Sequence, residues 1–64
     1  MSEPLTEQQR LSIDGWFTAL GITYSPARET WAKQRLALER LTPIGELTRD
    51  QAGTLLLKLE EAGR

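Results

Sequence analysis

Apolar residues recur along this chain at helical spacing in three separate stretches. In the first, Ile13, Trp16, Phe17 and Leu20 fall at i, i+3, i+4 and i+7, which is one face of an α-helix. Thr6 followed by Gln9 makes a capping-box pair, Glu7 puts a carboxylate at the positive end of the helix dipole, and Gly21 supplies a stop. A helix is therefore predicted over 6–20. Gly15 in its interior costs about 1 kcal/mol relative to alanine, so this helix is not strong by propensity alone. In the second stretch Ser25 suits an N-cap and Pro26 the first helical position, where its missing N–H does no harm. This helix is predicted over 26–41, ended by Thr42-Pro43 because the residue before a proline avoids helical geometry. Ala27, Trp31, Leu38 and Leu41 line one of its sides, with Gln34 among them. The third opens at Thr48, paired with Gln51, with Asp50 in the first turn and Leu47 and Ala52 placed for a hydrophobic staple. Ala52, Leu55, Leu56, Leu59 and Ala62 form its stripe and Gly63 its stop, predicting a helix over 48–62.

The linkers, 21–24 and 42–47, are short enough to keep successive helices adjacent. Valine is absent and no segment alternates over four or more residues, so no strand is predicted. The expected fold is all-α, a compact three-helix bundle forming a single domain over 1–64. A partial echo runs through it: Leu5-Thr6-x-x-Gln9 leading to Gly21 matches Leu47-Thr48-x-x-Gln51 leading to Gly63. Two capped helices of equal length account for that likeness without a duplication.

Composition narrows the function. A chain of 64 residues has little core, burying only about 60% of the surface its unfolded form exposes. It has no Cys and no His, so disulfides, thiol chemistry and the usual zinc ligands are excluded, as are the commonest nucleophile and proton shuttle. Of the carboxylates, Glu60 and Glu61 are adjacent and diverge by about 100° on a helix. Glu7, Arg10 and Asp14 read as a solvated charge ladder. The glycines are scattered, with no phosphate-cradling loop. No enzyme activity, catalytic residue, metal, cofactor or small-molecule substrate is expected. The acidic, polar start Met1-Ser2-Glu3-Pro4 is unlike a secretory signal, and no apolar run is long enough to span a bilayer. A cytoplasmic location without membrane contact is the expectation.

The formal net charge of −1 provides no global attraction to nucleic acid. Locally the middle helix is basic, with Arg28, Lys33, Arg35 and Arg40 against Glu29 and Glu39. This permits one alternative, a helix-turn-helix-like DNA-binding protein in which Gly21 to Tyr24 is the turn and the helix over 25–41 is the reader. Arg28 and Arg35 would lie side by side, with Lys33 and Arg40 on another flank. The tryptophans, in register with Leu or Ile, read as core. A different feature favours a protein partner or a second copy of the chain. Each helix carries a leucine far from its stripe: Leu11 about 160° from Ile13, Leu36 about 140° from Trp31, and Leu57 about 160° from the centre of its own stripe. A small protein with a thin core commonly completes it against another chain. Leu11, Leu36 and Leu57, with Arg28 and Arg35 at the rim, are the candidate partner-binding residues.

The ordering of these segments carries a family resemblance. Leu5-Thr6-x-x-Gln9 opens a helix ending in Leu20-Gly21, an arginine-containing helix follows, and Glu46-Leu47-Thr48-Arg49-Asp50-Gln51-Ala52 leads into a leucine-rich final helix. This resembles the small helical modules of phage and mobile-element DNA-metabolism proteins, notably the C-terminal accessory domains of single-strand annealing recombinases. Gln51 stands where that pattern has an acidic residue, and the middle helix adds Trp31. The resemblance implies an accessory interaction role near nucleic-acid enzymes and assigns no binding residue.

Overall fold

A computed structural model describes residues 3–64. Three helices form in the predicted order: α1 (Glu7–Ala19), α2 (Ser25–Leu36) and α3 (Arg49–Ala62), with one 3-10 turn, Ile44–Glu46, in the second linker. Both capping boxes are made. Thr6 Oγ1 accepts from the Gln9 amide and Gln9 Oε1 from the Thr6 amide, each at 3.0 Å. Thr48 and Gln51 exchange the equivalent bonds at 3.1 and 3.0 Å. These side chains occupy amide donors that an isolated helix end leaves without partners.

The echoed segments lie side by side. The Leu5 amide donates to the Leu47 carbonyl at 3.1 Å and the Arg49 amide to the Glu3 carbonyl at 2.8 Å, around an isolated antiparallel bridge between Pro4 and Thr48. Gln9 Nε2 then reaches the Arg49 carbonyl at 3.2 Å. At the other end Trp16 packs so closely on Gly63 that a Cβ there would stand 2.6 Å from Cζ3 of the ring. Starts meet starts and ends meet ends, so α1 and α3 run in the same direction. Their shared core is Ile13, Phe17, Leu47, Ala52, Leu55 and Leu59, joined by Ala32 from α2, all at most 1% exposed.

The middle helix ends at Leu36, not at residue 41. Ala37 adopts a left-handed conformation, φ 54° and ψ 42°, and the Leu38 amide turns back to the Lys33 carbonyl at 3.0 Å. This is a Schellman closure, satisfying a carbonyl that continuing the helix would have bonded differently. α1 closes the same way at Gly21, φ 79°, with the Ile22 amide on the Phe17 carbonyl at 2.8 Å. At the first helix the glycine advertised the stop; at the second an alanine makes it. At the other end of α2 the N-cap is Tyr24, which makes no side-chain capping bond, while Ser25 lies inside the helix.

Candidate interaction surface

The early stop goes with a rotation of α2 relative to the predicted stripe. Its fully buried residue is Ala32, with Arg28 and Leu36, one turn to either side, partly buried. Ala27 and Gln34 lie about 140° and 160° from Ala32 at 100° per residue, and both are exposed. Of the four apolar residues expected to form the α2 core, Trp31 and Leu38 are half-buried against it, while Ala27 and Leu41 are exposed.

The five sequence-predicted partner residues do not form one patch. Leu36 faces inward and packs against the core cluster, which removes it from any outward patch. Leu11 and Leu57 are 57% and 60% exposed. They occupy the outer sides of separate helices: Leu11 lies about 140° around α1 from Trp16, which marks the side facing α3. Arg28 is engaged inside the molecule rather than at a rim. Its Nε donates to the Ile22 carbonyl at 2.7 Å, Nη1 to Asp14 at 2.6 Å and Nη2 to the Thr18 hydroxyl at 3.2 Å. That guanidinium lies along the C-terminal half of α1, between the Asp14 and Thr18 side chains and the Ile22 carbonyl that follows the helix, and it fastens α2 to α1. It is thus turned away from the outward position that DNA reading by this helix would require. Asp14, expected in a ladder with Glu7 and Arg10, pairs instead with Arg28, leaving Arg10 to Glu7 at 2.6 Å. The Glu7 carboxyl is held below its ordinary value, first by the hydrogen bond from Arg10 and second by that residue's charge.

Arg35 does remain at the surface. Its guanidinium carbon stands 5.1 Å over the Trp31 ring, and Trp31 meets Phe17 edge to face with centroids 5.5 Å apart. Arg28 covers Phe17 at 5.4 Å. The four groups form a ladder of guanidinium, ring, ring and guanidinium that passes from the interior to the outer face of α2. On that face lies Tyr24, 71% exposed, which sequence reasoning left among linker residues. The signal was present: Tyr24, Ala27 and Trp31 are spaced i, i+3, i+7, extending the α2 stripe backwards across its cap. With Pro26, Thr30 and Gln34 they line a shallow hollow of about 380 Å³. A second hollow of about 410 Å³ adjoins it through Gln34 and is lined by Arg35, Lys58, Glu61 and Ala62.

A separate dent beside Trp16 is floored by Ser12, Gly15 and Ala19 and carries no charged group. Among the described residues no three His, Cys, Asp or Glu side chains converge as a metal-binding group, and no helix is long and apolar enough to cross a membrane. Comparison with family models, with curated proteins and with solved structures gives no match.

Proposed function

We propose that this chain is a non-enzymatic interaction module that binds a protein partner, or a second copy of itself, through the outward face of α2. Its family setting, phage or mobile-element DNA metabolism, is what the segment order of the sequence resembles. One observation carries the reading: the N-terminal part of the apolar stripe of α2 lies at the surface, with Tyr24 and Ala27 exposed beside a half-buried Trp31 and Arg35 laid over it. Tyr, Trp and Arg are the residue types that most often anchor protein interfaces, because each combines a large rigid contact area with a polar tip. Here they meet on one helix face whose ring is already held in place from behind by Phe17. Such pre-ordering lowers the entropic cost of docking.

The test compares two double variants. Tyr24→Asp with Ala27→Glu charges the α2 face, and Leu11→Asp with Leu57→Asp charges the outer sides of α1 and α3. All four positions are exposed, so both variants should keep the helical circular dichroism of the parent. Pull-down from the producing cells and light scattering of the pure protein are then run on each. The α2 variant should lose the associated partner or the dimer mass, and the leucine variant should keep it. The opposite pattern would remove the α2 face as the docking surface.

A further inference from the structure

Charge on the same face points to the class of partner. We infer that α2 takes an acidic peptide segment, whose apolar side chain rests on Ala27 and Trp31 while its carboxylate enters the hollow between Arg35 and Lys58. This inference rests on the docking role proposed above and names its occupant. Among the described residues the four ion pairs engage Arg10, Arg28, Arg49 and Arg64. Lys33, Arg35, Arg40 and Lys58 enter none of them, and all four belong to α2, its exit, or the α3 residues beside it.

Two of these cations, Arg35 and Lys58, line one hollow, opposed there by Glu61 alone. Gln34 forms the border shared by that hollow and the apolar one, and its exposed amide can both donate to and accept from a peptide backbone. An apolar dish followed along the helix by a cationic hollow is the complement of a segment that alternates aliphatic or aromatic side chains with carboxylates. A nucleic acid fits less well. The formal net charge of −1 gives no long-range attraction to a phosphate backbone.

The test selects a displayed library of random peptides on the intact chain, with two counter-baits. One carries Arg35→Glu and Lys58→Glu, and the other carries Tyr24→Asp and Ala27→Glu. Circular dichroism checks that both remain folded. Enriched peptides should combine Leu, Ile, Phe or Trp with Asp or Glu. A synthetic copy should perturb tryptophan fluorescence, bind the parent protein more weakly as salt rises, and bind about tenfold more weakly to the Arg35/Lys58 variant at low salt. Peptides that are apolar without acids, or whose binding ignores the Arg35/Lys58 change, would overturn the acidic partner while leaving α2 as the docking face. Enrichment no greater than on the Tyr24/Ala27 counter-bait would overturn both. Binding of a thymidine oligonucleotide in place of any peptide, or a concentration-dependent dimer mass abolished by the Tyr24/Ala27 change, would equally replace the peptide as occupant.

Discussion

Replacing Ala37 with glycine should stabilise this protein, although glycine one residue earlier would do the reverse. Ala37 sits at φ 54° and ψ 42°, where a Cβ crowds the backbone. An L-residue in this region carries a penalty of roughly 1–2 kcal/mol, which glycine avoids. Glycine also gives the unfolded chain more freedom, offsetting about 0.4–1 kcal/mol of the gain. The net stabilisation expected is about 0.5–1 kcal/mol. For a domain of this size that raises Tm by roughly 2–8 °C, at 4–8 °C per kcal/mol. Urea unfolding followed by fluorescence of Trp16 and Trp31 is the assay, and the midpoint should move without a change in slope. Ala37→Val is the companion: a branched side chain is harder to hold at positive φ, so it should lower the midpoint. If Ala37→Gly instead destabilised by about 1 kcal/mol, residue 37 would be behaving as helix interior. α2 would then run on towards Leu41, and the placement of Leu38 against the core would be wrong.

The other expectations concern the clasp, the core and the acid side. Arg28→Ala removes three hydrogen bonds from a guanidinium whose side chain is only 16% exposed, and should cost about 1.5–3 kcal/mol in the same unfolding assay. Arg28→Lys should recover little, since a single ammonium cannot span the Ile22 carbonyl, Asp14 and Thr18 together. Leu47→Ala empties a fully buried site in the core cluster and should cost about 2–5 kcal/mol, enough to unfold much of the protein at room temperature. Because the Glu7 carboxyl is depressed in the folded state, its pairing with Arg10 helps stability above the ordinary glutamate range. That help fades as pH falls through the lowered value. Arg10→Gln should move the Glu7 titration upward, read by NMR of its side-chain carbon.

How far the sequence discloses this molecule differs from helix to helix. α1 and α3 are legible at both ends because their signals are chemical: Thr-x-x-Gln boxes that are formed as written, and a glycine just past each end, Gly21 with the positive φ of the closing turn and Gly63 at an ordinary φ of −84°. α2 is not, because its N-cap Tyr24 has no capping side chain and its stop is an alanine. With Pro43 as the nearest visible terminator, the pattern recruits Leu38 and Leu41 into a stripe that the helix never contains. The misplaced end then rotates the inferred core face from Ala32 to Ala27. Leu36 follows from the same error, since a leucine off a wrong stripe reads as exposed. Arg28 is misread for another reason: its partners Asp14 and Thr18 belong to α1, and no spacing within α2 could announce them. Arg35 keeps its surface position because its contact, one turn back at Trp31, is local.

The outward face of α2 is the central claim, and hydroxyl-radical footprinting tests it directly, even while the partner is unidentified. The free protein should label strongly at Tyr24, with Leu11 and Leu57 as reactive references. In extract of the producing cells, Tyr24 and Trp31 should become protected while Leu11 and Leu57 stay reactive. Protection of Leu11 or Leu57 with Tyr24 unchanged would contradict the claim and move the interface to the outer sides of α1 and α3.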